Sequence, residues 1–229
     1  IAWEAIERSL QQQAGETFLL YGVTGSGKTE VYLRAAAWCL RHGRSALVLT
    51  PEIALSSQVA ARFSARFGNQ VAILHSALTP VERAATWRGV ADGVYPIVVG
   101  PRSALFAPVQ NLGLIVLDEE HDQAYKQGET PRCHTRAVAE FLASETGATL
   151  LLGSATPATE TFWRAEQGEI TRLDLPERVG PALRKDDGSY AGSVLELPRV
   201  EIADMRLELH RGNTSLLSES LQEVLGATL

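Results

Sequence analysis

The sequence predicts an α/β fold, a doubly wound and mainly parallel sheet with helices on both faces, and three observations carry that reading. Short β-branched apolar runs alternate with longer amphipathic segments over roughly the first 170 residues. The runs are apolar throughout, the pattern of strands that helices bury on both sides. A glycine-rich turn leads directly from the first run into a helical segment.

The chain opens on "IAWEAIERSL", in helical rhythm without an initiating methionine or an N-cap, and ends on "EVLGATL" just past another helical stretch. We expect a piece of something longer. Strands are predicted at 17–22 (TFLLYG), 45–50 (SALVLT), 71–75 (VAILH), 96–100 (PIVVG), 112–118 (LGLIVLD) and 148–154 (ATLLLGS). Helices are predicted between them, near 3–13, 28–42, 54–67, 80–92, 135–145 and 158–167. After about residue 170 the rhythm breaks into a stretch rich in Pro, Gly and charge, which reads as an extended connector. Within it 184–193 (RKDDGSYAGS) has turn residues and little to bury, so a mobile loop is expected. A last helix near 216–226 carries Leu217, Leu221, Val224 and Leu225 on one face, which must pack against something.

Composition narrows the function classes. The longest apolar runs fall well short of the roughly 18 residues a membrane span needs, and no signal segment opens the chain, so no membrane partner and a cytoplasmic location are expected. Cys39 and Cys133 lie far apart with no C-x-x-C spacing, which suggests neither a disulfide framework nor a cysteine zinc site. A net charge of −6 argues against a domain that grips nucleic acid over its whole surface, while leaving room for local patches.

Residues 22–29, "GVTGSGKT", match G-x-x-x-x-G-K-[ST] in full. Gly22, Gly25 and Gly27 let the backbone curl so that successive N–H groups, with those of Thr24 and Ser26, point inward at phosphate oxygens. Lys28 would reach the β- and γ-phosphates and the Thr29 hydroxyl would ligate Mg²⁺. A second feature decides between binding and chemistry. "LGLIVLDEEHD" delivers Asp118, Glu119, Glu120 and His121 off the carboxyl end of a buried strand, the edge where α/β sheets bind ligands. Asp118 would hold Mg²⁺, directly or through water, and Glu119 would orient and deprotonate the attacking water. With no N-K-x-D guanine reader and no phosphoacceptor site, ATP hydrolysis is the expected reaction.

"GVTGSGKTEVYL", "DEEHD" and "GSATPATET" together resemble the helicase core of superfamily 2, a DEAH-box-like arrangement, and within it the bacterial replication-restart helicases of the primosome. Further stretches run in the same order as in that family, among them "TPEIALSSQ", "LHSALTPVERAATW", "VVGPRSALFAP", "DQAYKQ", "LPERV" and "VEIADMRLE". The resemblance covers essentially the whole chain. It implies that residues 1–170 form the first of two RecA-like lobes, truncated at its N-terminus, and that 171–229 lead toward a second lobe. It implies ATP and Mg²⁺ as cofactors, with Lys28, Asp118 and Glu119 catalytic and His121 among the nucleotide-binding residues. It also implies single-stranded and forked DNA as partners, together with primosome proteins and single-stranded DNA-binding protein.

By the same resemblance His121, Ser154 and Thr156 transmit the state of the nucleotide to the DNA-binding face. A histidine after an acid cluster is also a common turn residue, and Ser154 or Thr156 could instead cap the helix at 158. The stretch 121–139 matches an aromatic-rich coupling loop, in which Tyr125, Lys126, Arg132 and His134 would stack on a base or meet phosphates. Two departures weaken this coupling: Cys133 stands where the family commonly has tyrosine and Ala137 where it has aspartate. Pro101 replaces a usual threonine in a strand-end loop, leaving Arg102 and Ser103 as the DNA contacts there. The resemblance puts the adenine-reading glutamine upstream of Ile1, and the arginine finger and zinc-binding cysteines beyond Leu229. Other readings are a nucleotide-responsive scaffold that binds forks without unwinding them, and a different translocase of the superfamily.

Overall fold

A computed structural model describes residues 2–51, 58–128, 130, 132–180, 183–184, 190–191, 194–195 and 200–228. They fall into two compact units, Ile1–Leu195 and Glu196–Leu229.

The first unit is built on one parallel sheet of β1 (Thr17–Gly22), β2 (Ser45–Leu49), β3 (Val71–Ile73), β4 (Ile97–Gly100), β5 (Leu112–Asp118), β6 (Thr149–Ser154) and β7 (Thr171–Leu175). Their order across the sheet is β3-β4-β2-β5-β6-β1-β7. The connecting helices are α1 (Ala2–Gln12), α2 (Lys28–Arg41), α3 (Gln58–Phe67), α4 (Pro80–Ala91), α5 (Thr135–Thr146) and α6 (Thr159–Glu166). Because side chains alternate along a strand, each central strand feeds two cores. Phe18, Leu20, Val48 and Val116 point into one with α1, α2 and α3, around Tyr32, Trp38 and Phe63. Leu19, Leu47, Leu49 and Leu117 point into the other, with Ala139 of α5 and the partly buried Trp87 of α4. Burial on both faces is why these strands read as unbroken apolar runs. The helix starts are locally encoded too: Thr79 caps α4 by accepting from Glu82 N–H, while the Glu82 carboxylate accepts from Thr79 N–H.

All six expected strands and all six helices of this unit are present, with ends shifted by a few residues. The part of the third helix expected at 54–57 lies outside the described residues. One strand of the seven-stranded sheet was not expected. Thr171–Leu175, which the sequence reading gave to the connector, pairs with β1 as an edge strand. Its sequence, TRLDL, has only Leu173 buried, so it lacks the apolar run that marked the others.

Beyond β7 the chain forms two short antiparallel ladders. β8 (Arg178–Val179) pairs with a strand at Val194–Leu195, and Leu183–Arg184 with Tyr190–Ala191. The middle of the mobile loop expected at 184–193 lies outside the described residues. The second unit holds two helices, Met205–His210, capped by Asp204, and Glu219–Thr228. The apolar face expected to be packed there, Leu217, Leu221, Val224 and Leu225, is 41 to 62% exposed.

Candidate nucleotide and nucleic-acid site

The turn from β1 into α2 is shaped by glycine. Gly25 and Gly27 have φ of 83° and 89°, a left-handed backbone that other residues adopt only under strain. A Cβ on Gly22 would stand 2.5 Å from Ser26 Oγ and 2.9 Å from the Leu175 carbonyl oxygen. Lys28, in the first turn of α2, is buried, and its Nζ donates to the Gly22 carbonyl at 2.6 Å. Ser26 Oγ is buried without a hydrogen-bond partner. Thr24 and Gly25 are exposed, and Thr29 is half-buried beside Lys28. An orphaned hydroxyl and an ammonium folded back on its own loop, at a helix N-terminus, are the donor set that a phosphate group completes.

β6 lies between β1 and β5, pairing Tyr21 with Ser154 on one side and Asp118 with Gly153 on the other. The acid cluster therefore faces the phosphate loop across a single strand. Asp118 accepts a hydrogen bond from Tyr32 Oη at 3.0 Å, which ties the end of β5 to α2. Burial, and secondarily the Glu119 carboxylate, raise the Asp118 carboxyl to about 6, against the opposing pull of the Tyr32 bond and Lys28. A carboxyl held in this way fits a divalent cation, whose charge would restore the ionised form. Glu119 has φ of 48°, so the chain turns sharply at the residue expected to activate water.

Glu120, although part of the same cluster, does a different job. Its carboxylate is 1% exposed and accepts from Arg136 Nη1 at 3.2 Å, Thr161 Oγ1 at 2.9 Å and the Ala158 N–H at 2.7 Å. It thus caps α6 and anchors α5. This decides one open alternative: Ser154 and Thr156 do not cap α6. Ser154 Oγ instead lies 2.8 Å from His121 Nδ1 and accepts from Thr156 N–H at 3.0 Å. His121 Nδ1 is also 3.7 Å from Glu119 Oε2, and its Nε2 is 3.4 Å from Thr156 Oγ1. His121, Ser154 and Thr156 form a continuous polar link from the Glu119 carboxylate to the end of β6.

The residues expected to couple DNA fall into two groups. Arg102 and Ser103 are exposed on the turn after β4, and Arg102 Nη1 donates to the carbonyls of Ala124 at 3.1 Å and Lys126 at 2.9 Å. Lys126 forms a β-bridge with His134, and Arg132 is exposed just before it. His134 caps α5, its Nδ1 accepting from Arg136 N–H, and burial with the nearby Arg136 and Lys126 lowers its pKa. Tyr125 requires a correction. It is 1% exposed, and its hydroxyl donates to the Asp118 carbonyl at 2.7 Å, so its ring cannot stack on a base. The short 3₁₀ turn at Gln123–Tyr125 swings it under the acid cluster, where desolvation also raises its pKa.

Three contributions next to the site were not read from sequence. Tyr32 gave no local signal, and Glu120 was named only as part of the acid cluster, because the partners of both are distant in the chain. The third is Arg178, which β8 lays against the phosphate loop: Val179 N–H donates to the Gly25 carbonyl at 2.9 Å, and a Cβ on Gly25 would stand 3.2 Å from Arg178 Cγ.

With a phosphate loop and an acid-tipped strand on either side of β6 in a parallel sheet, the class is that of the nucleotide-dependent helicases, and residues 1–162 match the DEAD/DEAH box helicase family model. The chain belongs to that family. Among its relatives, the replication restart protein PriA of Bacillus subtilis (strain 168) is 43% identical over 228 residues, covering 100% of this chain and 27% of that protein. The protein of the same name from Synechocystis sp. is 46% identical over 228 residues, covering 97% of this chain and 26% of that protein. The chain thus spans about a quarter of the length of these relatives. Among solved structures, RecG bound to a three-way DNA junction superposes with a TM-score of 0.53 at 22% identity, over 76% of this chain and 23% of that one. This likeness concerns the fold. No helix among the described residues is long and apolar enough to cross a membrane.

Proposed function

We propose that the chain is the ATP-binding lobe of a DNA-dependent ATPase and helicase that unwinds and remodels stalled replication forks to restart replication. The observation that carries this reading is the approach of Lys28 and Thr29 to Asp118 and Glu119 across β6, in a chain of this family. Bound MgATP supplies the phosphoryl group to be transferred and the metal charge that offsets it. Lys28 gives up its bond to Gly22 and takes phosphate oxygens. Thr29 and Asp118 would hold the metal, and Glu119 would take the proton from the attacking water. His121, hydrogen-bonded to Ser154, senses that carboxylate and passes its state toward Arg102, Lys126, Arg132 and His134, which face single-stranded DNA.

A whole motor requires a second lobe with its arginine finger, a contribution worth about 10³ to 10⁵ in rate in other NTPases. Primosome proteins, single-stranded DNA-binding protein and a cytoplasmic setting follow from the same reading, with zinc confined to the rest of a longer protein. The test is calorimetry of the 229-residue chain with MgADP and MgATP. Weak binding is expected, lost at least tenfold in Lys28→Ala, with negligible hydrolysis even when DNA is added. Equal nucleotide affinity of wild type and Lys28→Ala, or fast DNA-stimulated turnover by this chain alone, would contradict the proposal.

A further inference from the structure

We propose that the cavity between α4 and the ends of β3 and β4 receives an unstacked base of single-stranded DNA, with flanking phosphates on Arg83 and Arg88. This rests on the reading of the protein as DNA-binding, and adds to it a base-binding site that shares only Ser103 with the expected DNA contacts. The cavity has a volume of about 750 Å³, within the range of small-ligand sites, and is lined by His75, Arg83, Trp87, Arg88, Pro101 and Ser103 among others. Ser103 and Pro101 belong to the turn that carries Arg102, so the cavity opens beside the expected DNA contacts.

Its chemistry selects the occupant. In a chain of net charge −6, no lining residue is acidic, and Arg83, Arg88 and His75 are all on its walls. Both arginines are exposed. Arg83 donates only to the His75 carbonyl, at 3.5 Å, and among the described residues neither arginine has a carboxylate partner. Guanidinium groups without carboxylates beside an aromatic wall form the arrangement that single strands use, with phosphates on the cations and a base on the ring. Trp87 is four residues beyond Arg83, on the same face of α4, and its half-buried indole packs against the core behind it, so the platform is rigid. Pro101, which lacks both an N–H and a hydroxyl, adds apolar wall, and Ser103 and His75 offer polar atoms to a base edge. Recognition through stacking is tolerant of base identity, which suits a protein that reads strands of any sequence.

The test is fluorescence anisotropy of the 229-residue chain with a labelled eight-nucleotide oligo-dT and with an abasic strand of the same length, over a salt series. The wild type is expected to prefer the base-bearing strand by about tenfold, as one stacked base would give. Trp87→Ala should reduce that preference to about one, while Trp87→Phe, which preserves the core packing, should keep most of it. Arg83→Ala and Arg88→Ala should each lower the slope of log affinity against log salt by about 0.7. Preference for the base-bearing strand that survives Trp87→Ala, or an unchanged salt slope in both arginine variants, would overturn the proposal and leave the cavity to an apolar peptide side chain. Wild-type binding to both strands with no preference would overturn it while DNA binding stands. Absence of binding to either strand would remove the DNA-binding reading itself.

Discussion

Asp118 concentrates the conflict between stability and function. Its carboxyl titrates at about 6 in the folded chain, against an ordinary value of 3.8, because burial penalises the charge. The folded state therefore binds the proton more tightly than the unfolded one, so this contribution favours folding fully below pH 4 and is lost as pH rises through 6. At pH 7.5, without nucleotide, Asp118→Asn should stabilise the protein by roughly 2 to 3 kcal/mol, since the amide oxygen still accepts from Tyr32. The gain in Tm should shrink to near zero by pH 4; a gain independent of pH would contradict the assignment. Gly153 is required for a related reason. A Cβ there would stand 1.6 Å from Tyr32 Oη and 2.8 Å from Cζ, and Tyr32 is fully buried. Gly153→Ala should cost about 3 kcal/mol in urea denaturation, partly recovered by adding Tyr32→Phe, which removes the nearer clash.

Glu120 joins three elements through one buried carboxylate: the turn after β5, the start of α5 at Arg136, and the N-terminus of α6 at Ala158. Glu120→Ala would leave the Arg136 guanidinium, 15% exposed, without its carboxylate partner and with only the Thr161 hydroxyl, at a cost of about 3 kcal/mol. Glu120→Gln, which keeps the acceptor oxygen, should cost less than half as much; a loss under about 1 kcal/mol for the alanine variant would refute the anchoring role. Glu120 also shows where sequence reading stops. "DEEHD" revealed a cluster at a strand end, but the separate surroundings of Asp118, Glu120 and His121 depend on partners 86, 41 and 35 residues away, none of them visible in local pattern. Most of the sheet was legible because burial on both faces writes itself as unbroken apolar runs, whereas β7, an edge strand with Arg172 and Asp174 facing outward, carries no such mark. Tyr125 was misread as a stacking surface because an aromatic in a polar loop looks exposed. Only the fold shows its hydroxyl reaching back to the Asp118 carbonyl.

The order of strands sets what the lobe does. Placing β6 between β1 and β5 brings the phosphate loop, the acid cluster and the Ser154–His121 link to one edge of the sheet, while β4 and β3 carry Arg102 and the Trp87 cavity along the same edge toward the side. The proposed nucleotide site and the proposed strand contacts are thus adjacent but separate, joined by Arg102, whose guanidinium holds the loop that follows the acid cluster. β8 is held against the phosphate loop by the Val179 to Gly25 bond, so the chain beyond β7 begins beside the candidate nucleotide site. A motor of this design should hydrolyse ATP only when its DNA face is engaged and Glu119 is intact. The most direct measurement is steady-state ATP hydrolysis by the longer protein that this reading implies, with and without forked DNA, for wild type and Glu119→Gln. Strong stimulation of the wild type by DNA, and loss of at least a hundredfold in turnover with retained nucleotide binding in Glu119→Gln, is the expected result. Wild-type binding to forks with no DNA-stimulated hydrolysis would contradict it and favour a scaffold over a motor.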